Sequence, residues 1–389
     1  MNGTINFQEI TIINGAGVFC LLFLLYSRYT NKSTKRVGDN IVNGIIVVTV
    51  INLIIETASF YIDGLPGKYI YFLQYFTNSI VVFSTTFVGY VWCLFTEFKI
   101  HRSLKMLHKK AIILCGPVIV QLIMIIADCF GTGVLFCVSA DNVYSRGKFV
   151  ILSYVFLGFY YLYSIIAVHV AKHRGNQIHF FPVYTFVLPC IIGTVVQGLN
   201  YGVAAGWFSV AIAILLIEMQ LQKEESFVDE LSGLYNRKYL EFMYNQIQNK
   251  KAQDVFGIMM DINYFKKIND VFGHTVGDDA IRTISMLLSQ WVEGPDMVIR
   301  FAGDEFVIIC INKSENDMVD LIKRIKRNLD EYNSLKKKPY ELTVAAGYTE
   351  YTQEHLKLDD FLREMDRKMY EDKNSFKKKH VAGNDPKYV

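Results

Sequence analysis

Charged residues are scarce in the first 221 of the 389 residues. That part has 14 Lys and Arg and 8 Asp and Glu, a net charge of +6, which is too little charge to cover a globule with a polar surface. Residues 222–389 have 26 Lys and Arg and 29 Asp and Glu, a net charge of −3 that is ordinary for a soluble domain. This asymmetry excludes a purely soluble enzyme, a disordered chain and a collagen-like or repeat protein. A nucleic-acid-binding protein is also excluded, since the charge-rich part is mildly acidic.

Cysteines at zinc-binding spacing are also lacking. None of the seven cysteines belongs to a C-x-x-C motif, and no histidine stands at ligand spacing from one, so no zinc site is expected. Five cysteines lie in apolar runs and are predicted to be small buried hydrophobes. Cys129 and Cys137 flank a predicted external loop, where a disulfide and two free thiols remain alternatives.

Long apolar runs fill the first part of the chain. A membrane-spanning helix needs about 20 predominantly apolar residues. Such runs occupy residues 10–27, 41–62, 69–96, 111–127, 149–168 and 180–217. The last run is nearly twice as long as one span, and its cluster of Gly198, Asn200, Gly202 and Gly206 predicts a turn. Residues 1–221 are therefore predicted to form an all-α transmembrane bundle of about seven helices, with six as the alternative.

Basic residues are concentrated in alternate connections between these runs. They follow the first, third and fifth runs, at Arg28, Lys32, Lys35, Arg36, Lys99, Arg102, Lys105, Lys109, Lys110, Lys172 and Arg174. Because basic loops stay in the cytoplasm, we expect a multi-pass cell-membrane protein with its N-terminus outside and residues 222–389 in the cytoplasm. The first residues lack the basic start of a secretory signal peptide. The first apolar run is therefore predicted to be a membrane span that stays in the mature protein.

One carboxylate lies inside the second run. Glu56 stands near the predicted outer end of that span. Ionisable residues within a membrane are often functional, so a role in ligand or proton sensing is one interpretation. A structural role near the interface is the other, and the sequence leaves both open.

Residues 222–389 alternate between helix and strand patterns. Helices are predicted at 226–250 (interrupted near Gly233), 280–292, 318–332 and 358–373, and strands at 255–262, 298–301, 306–310 and 342–348. The two strands at 298–310 are separated by four residues and form a predicted hairpin. This order predicts a single α/β domain.

Acidic residues stand at three special points of this domain. Asp261 ends a predicted strand, Asp278 follows a glycine-punctuated turn, and Asp304 with Glu305 forms the predicted hairpin tip. Each of them alone also has a simple structural interpretation: Asp261 as a turn-forming residue, Asp278 as a helix N-cap, and Asp304 with Glu305 as a solvated turn. A sheet can bring them together, however, and adjoining carboxylates repel unless divalent cations lie between them.

The hairpin motif resembles a known family. The string Arg300-Phe-Ala302-Gly303-Asp304-Glu305-Phe306 resembles the signature of GGDEF-domain diguanylate cyclases, with Ala302 in place of the first glycine. Further segments follow at the family's spacings, at 229–237, 261–269, 273–278 and 370–373. The resemblance covers about residues 226–380.

The resemblance implies a nucleotidyl-cyclase-like fold, with a mainly antiparallel central sheet flanked by helices. It also implies a nucleotidyltransferase that condenses two GTP into cyclic di-GMP and two pyrophosphates across a homodimer. Asp261, Asp304 and the backbone carbonyl of Ile262 would hold Mg²⁺, or Mn²⁺, at two ions per active site. Glu305 would assist the second metal or activate the 3′-hydroxyl, so Asp261, Asp304 and Glu305 are the implied catalytic residues.

The same resemblance implies the residues that bind GTP. Asn269 and Asp278 would read the guanine edge, and His274 would shape the nucleotide pocket. The remaining contacts to ribose and phosphates would come from Phe265, Lys266, Ala302, Gly303, Lys373 and Lys377, the two last neutralising the β- and γ-phosphates.

Four positions depart from the family's pattern. The methyl group of Ala302 would cost about 1 kcal/mol if that position needs a positive φ. Asn263 stands where many members have Asp, and Lys377 stands where Arg is frequent. In Glu293-Gly-Pro-Asp296 an acid replaces the Arg of the family's product-inhibition motif. We therefore predict no high-affinity feedback site of that type.

The leading hypothesis is a membrane-bound diguanylate cyclase controlled by its transmembrane region. Its expected partners are GTP, a second copy of the chain, the lipid bilayer and an unknown small or membrane-borne signal. One alternative is a catalytically weak or degenerate domain that binds GTP or a protein. The other is a seven-span receptor whose soluble part relays a signal by contact.

Overall fold

The computed structural model describes residues 7–30, 37–101, 103–173, 183–200, 203–250, 254–292, 296–352, 354–355 and 357–381. It falls into two units, Met1–Gln222 and Lys223–Val389. The basic residues Lys32, Lys35, Arg36, Arg102 and Arg174 and the segment 293–295 lie outside the described residues.

Helices build most of the described part of the first unit. In chain order they are α1 (Phe7–Thr30), α2 (Val37–Ile62), α3 (Lys68–His101), α4 (Leu104–Leu114), α5 (Gly116–Cys129), α6 (Ile151–His173), α7 (Val183–Leu199) and α8 (Gly206–Glu225). The predicted turn inside the last apolar run lies between α7 and α8, and its residue Gly202 is outside the described part.

A short hairpin interrupts this helical pattern. Strands β1 (Phe136–Val138) and β2 (Tyr144–Arg146) pair in antiparallel register between α5 and α6. The Asp128 carboxylate accepts hydrogen bonds from the backbone N–H groups of Leu135 and Phe136 at 2.8 and 3.1 Å, which fixes the chain entering β1. The prediction of an all-α bundle is therefore wrong at this point. All seven cysteines have free thiols, Cys129 and Cys137 included.

Fewer helices than predicted meet the length and hydropathy expected of a span. Within the described residues, four qualify: Phe7–Thr30, Gly38–Ile62, Lys68–His101 and Ile151–Ala171. The pair α4 and α5, bent by 43° at one break, would make a fifth if it crosses as one span. Helix α7 is apolar but short. Many large apolar side chains on these helices are exposed, including Phe19 and Ile112, as expected of a surface that faces lipid.

The second unit is an α/β domain. Its elements are β3 (Tyr235–Asn236), α9 (Arg237–Lys250), β4 (Val255–Ile262), α10 (Phe265–Phe272), α11 (His274–Trp291), β5 (Met297–Ala302), β6 (Glu305–Ile311), α12 (Glu315–Ser334), β7 (Val344–Glu350) and α13 (Leu358–Val381). The sheet order is β3-β5-β6-β4-β7; β3 and β5 are parallel, and every other pair is antiparallel. The mainly antiparallel sheet and the predicted hairpin are confirmed.

The interior strand β4, which lies between β6 and β7, is buried along its whole length, which explains its continuous apolar run. Helix α13 packs closely against it and against β7. A Cβ atom at Gly347 would overlap the backbone nitrogen of Met369, and one at Gly257 would overlap the side chains of Phe361 and Met365. The two glycines therefore set how near α13 lies to the sheet.

One local prediction in this domain is wrong, and one simple alternative is excluded. Residues 226–236 are not helical, because Asp229 closes a turn instead: its Oδ1 accepts from the backbone N–H of Ser232 at 2.8 Å, and Gly233 has a φ of +70°. Helix α9 begins only at Arg237. Asp278 is not a helix N-cap, since α11 begins four residues earlier, directly after Gly273.

Candidate active site

The tip of the β5–β6 hairpin is a tight turn of two residues. Gly303 has a φ of +39°, in the region that only glycine adopts without strain, and a Cβ atom there would meet nothing within 4 Å. The requirement for glycine is therefore one of backbone conformation and not of space. Ala302 has no positive φ and pairs with Glu305 across the turn, so its methyl group does not carry the expected strain.

The tip brings its acids to the end of strand β4. Asp261 lies directly opposite Glu305 in the β4–β6 register. The backbone N–H of Ile262 donates to the carbonyl oxygen of Asp304 at 3.3 Å. Asp261, Asp304 and Glu305 are thus assembled at one edge of the sheet, from two segments separated by more than 40 residues.

Their mutual proximity affects their protonation. Burial raises the pKa of Asp304, and the charge of Asp261 raises it further. The pKa of Glu305 is raised by burial and then by the charges of Asp261, Asp304 and Asp366, while Lys373 opposes the shift. The ionised cluster is therefore unfavourable by itself and attracts positive charge.

A lysine lies at this cluster. The Nζ atom of Lys373, on α13, donates to Oδ1 of Asp261 at 2.7 Å, and the Asp261 side chain is only 8% exposed. Lys377 follows four residues later on the same helix and is exposed. The close packing of α13 on the sheet holds the first of these lysines against the acids.

The donor chemistry suits a hard divalent cation, which prefers carboxylate and carbonyl oxygens. Asp261, Asp304 and the backbone carbonyl of Ile262 supply such oxygens. No group of three His, Cys, Asp or Glu side chains is arranged for metal binding in the described chain, so any site there depends partly on the backbone.

Arg300 fixes the tip, a role that the sequence reasoning missed. Its Nε donates to the carbonyl oxygen of Gly303 at 2.9 Å, and its guanidinium contacts Oδ1 of Asp229 at 2.9 Å. Burial tends to raise the pKa of Asp229, but hydrogen bonds from Ser232 and Arg300 outweigh it and the net shift is downward. Arg300 and Asp229 both belong to motifs that the sequence analysis named. Their contact could not be predicted, because a single sequence does not indicate which residues 71 positions apart will pair.

The residues expected to read guanine meet at the α10–α11 junction. A Cβ atom at Gly277 would overlap the Asn269 side chain, so the glycine makes room for that amide beside Asp278. Asp278 and His274 are exposed on the first two turns of α11. Phe265 is half-buried and Lys266 exposed, both on the first turn of α10. The fold thus gathers these residues into a second group, joined to Asp261 by the short segment between β4 and α10.

Asp296 has local partners. Its Oδ1 accepts from the backbone N–H of Ile311 at 3.2 Å, and its Oδ2 lies 3.8 Å from Nζ of Lys313. Burial raises its pKa. Glu293, the acid in the position of the family's Arg, is outside the described residues, so the absence of a feedback site stays a prediction.

This fold and this tip define a GGDEF-type domain, and comparison with known proteins agrees. Residues 226–379 match the family described as "Diguanylate cyclase, GGDEF domain". That part of the chain is a GGDEF domain.

Individual proteins show the same likeness. Diguanylate cyclase DgcZ of Escherichia coli K12 is 29% identical over 172 residues, which are 44% of this chain and 58% of that protein. Probable diguanylate cyclase DgcC of the same strain is 28% identical over 179 residues, 45% of this chain and 48% of that protein. The coiled coil and GGDEF domain of DgcB from Caulobacter crescentus, solved with c-di-GMP, aligns with a TM-score of 0.37 at 19% identity and covers 41% of this chain and 87% of that structure. The chain thus spans about half the length of the curated relatives that it matches.

Proposed function

We propose that this protein is a membrane-bound diguanylate cyclase that condenses two GTP into cyclic di-GMP and two pyrophosphates. The observation that carries the proposal is the meeting of Asp261, Asp304 and Glu305 at one edge of the sheet, with Lys373 bonded to the first of them. The similarity of residues 226–379 to diguanylate cyclase domains supports it.

The reaction forms a bond between a 3′-oxygen and an α-phosphorus and breaks the bond from that phosphorus to pyrophosphate. It occurs twice, once for each GTP. Phosphoryl transfer of this kind needs positioning and charge neutralisation more than covalent chemistry. Two divalent ions, Mg²⁺ or Mn²⁺, held by Asp261, Asp304 and the carbonyl of Ile262, would neutralise the phosphates and polarise the α-phosphate.

The protein's own residues orient the substrate and move the proton. Glu305, whose pKa is raised, is suited to accept the proton of the 3′-hydroxyl. Lys373 and Lys377 would neutralise the β- and γ-phosphates, and the open backbone at Gly303 leaves room for phosphate to approach. Asn269 and Asp278 would hydrogen-bond the guanine edge, beside Phe265, Lys266 and His274.

A homodimer follows from the chemistry. Each site holds one GTP, yet the product joins two, so two domains have to face each other. The membrane unit is the proposed device for aligning them.

We also propose that the first unit crosses the membrane seven times, with α4 and α5 forming one bent span and with α7 and α8 as the last two spans. The N-terminus is then outside and the GGDEF domain inside, where GTP is present. The exposed apolar side chains of the helices support contact with lipid, and the basic residues that follow the first, third and fifth apolar runs support this orientation.

One experiment tests the activity. The purified full-length protein is incubated with Mg²⁺ and GTP, and cyclic di-GMP is detected by mass. We expect product from the wild type and none from Asp304→Ala. A folded dimer that binds GTP without forming product would instead support the degenerate domain, and one that does not bind GTP would support a contact relay.

A further inference from the structure

A cavity of about 140 Å³ lies inside the first unit, between α2, α3, α6, α7, α8 and β2. Along α3 its lining extends from Gln74 to Val88, which is about 21 Å at 1.5 Å per residue, so the space is long and narrow. An apolar core cavity of about 150 Å³ in another protein holds one benzene molecule. A ligand that fits this cavity is therefore small and has a slender body.

One part of the cavity wall carries an acid without a cationic hydrogen-bond donor. Glu56 is only 3% exposed. Its Oε1 accepts from Nε2 of Gln197 at 2.8 Å, and its Oε2 accepts from Nδ2 of Asn14 at 3.2 Å. Both donors are neutral amides, which solvate a carboxylate but do not neutralise it. An intramembrane carboxylate usually pairs with positive charge.

A second observation also points to a donor-rich ligand. Gln74 is 1% exposed and lines the cavity, and its Oε1 atom is buried with no hydrogen-bond partner. Its Nε2 donates to Oδ1 of Asp63, a further acid of the lining, at 2.8 Å. Water can satisfy an amide oxygen, but it offers no positive charge to the two acids of the lining.

The cationic side chain of the lining is turned toward other groups. The guanidinium of Arg146 donates to the backbone carbonyls of Gln197 and Gly198, both at 3.0 Å. Among the described residues of the lining, two acids stand against this one arginine, and this balance disfavours an anionic ligand.

The rest of the wall suits the body of an organic cation. Aromatic rings of Phe60, Tyr154, Tyr161 and Trp207 line it, together with aliphatic side chains such as Val88 and Leu157. Aromatic faces attract ammonium groups by cation–π interactions, and aliphatic walls favour an apolar body.

We infer that this cavity binds a small organic ammonium ion, an alkylamine or arylalkylamine, with its charged group at Glu56. Its body then lies among the aromatic and aliphatic side chains along α3. Control of the cyclase by such a ligand rests on the function proposed above. Binding of the ligand does not depend on that function.

The test uses the full-length protein in lipid nanodiscs and 2-phenylethylammonium as the probe. Binding is followed by the tryptophan fluorescence of a Trp92→Phe, Trp291→Phe protein, in which Trp207 of the lining is the remaining tryptophan, with empty nanodiscs subtracted to remove partition into lipid. 2-Phenylethanol is the neutral analogue and phenylacetate the anionic one. We expect saturable binding of the ammonium ion, at least tenfold tighter than binding of either analogue.

Two variants form the matched pair. Glu56→Gln removes the acid of the cavity and is expected to weaken binding at least tenfold. Glu97→Gln removes another carboxylate of the first unit that is equally buried, 3% exposed, but outside the cavity lining, and is expected to bind as the wild type does. Val81→Phe enlarges a side chain midway along the α3 lining without removing a polar group, and it is expected to block binding in a folded protein.

The inference is overturned if no probe binds, if the alcohol or the acid binds as tightly as the ammonium ion, or if both Gln variants behave alike. Turnover of GTP is measured separately on the same samples. A protein that binds the ammonium ion but forms no cyclic di-GMP would refute the proposed function and leave the binding site standing.

Discussion

The hairpin tip allows a sharp test with two neighbouring substitutions. Gly303 has a φ of +39°, whereas Ala302 has no positive φ. A Cβ atom at Gly303 would meet no other atom within 4 Å, so the cost of Gly303→Ala is conformational only. That cost is about 1–2 kcal/mol for an L-residue in the left-handed region. It corresponds to a 5- to 30-fold loss in the population of the observed turn.

We therefore expect Gly303→Ala to lower turnover of GTP by at least about 5- to 30-fold, since Asp304 depends on the turn for its position and the added methyl group would also narrow the proposed approach of phosphate. Ala302→Gly, which restores the family's residue, is expected to change turnover less than twofold, because Ala302 bears no strain that glycine could relieve. Pyrophosphate release at saturating Mg²⁺ and GTP measures both. A large gain in Ala302→Gly, or full activity in Gly303→Ala, would refute the reasoning.

The remaining predictions concern charge at and near the site. Asp304→Asn is expected to raise the melting temperature measured without divalent metal, because the raised pKa of Asp304 means that its charged form is unfavourable in the fold. The gain in melting temperature should be largest above the raised pKa and should vanish as the pH falls below the usual pKa of an aspartate. A gain that does not depend on pH would contradict this reasoning. Arg300→Met should lower the free energy of unfolding in urea by about 1–3 kcal/mol, through loss of its bonds to Gly303 and Asp229. Arg300→Lys should not restore it fully, since lysine lacks the planar fork; complete rescue would show that charge alone is needed. Product inhibition should be weak in steady-state assays, and micromolar inhibition that Asp296→Ala abolishes would show that the argument from the missing arginine is wrong.

Elements that depend on the local pattern of apolar and polar residues were predictable from the sequence. The apolar run at 255–262 matches β4, because a strand buried on both faces needs apolar residues throughout. The hairpin at the acidic motif was predictable because two apolar runs flank a short polar turn. The segment 226–236 was predicted wrongly because its amphipathic pattern was weighted above the Asp, Ser and Gly that close a turn.

Contacts between distant segments were not predictable from one sequence. The pairing of Arg300 with Asp229 depends on the parallel register of β3 and β5, which no local pattern encodes. The hairpin of the first unit was missed because its strands have three residues each, too few for an alternating pattern. The candidate site residues were predicted from the family resemblance. The contacts between their side chains could be described only from the structure.

The close approach of α13 to Gly347 has a consequence for how this domain tolerates sequence change. At Gly347 the spacing between helix and strand is set by backbone atoms of Met369 meeting a residue without a side chain. Apolar positions of α13 that do not press on a glycine, such as Leu362, can then exchange for others of similar volume without moving the helix axis. Lys373, one turn beyond that contact, keeps its reach to Asp261 through such drift. The position of Lys373 against Asp261 therefore does not depend on which apolar residues occupy those positions of α13.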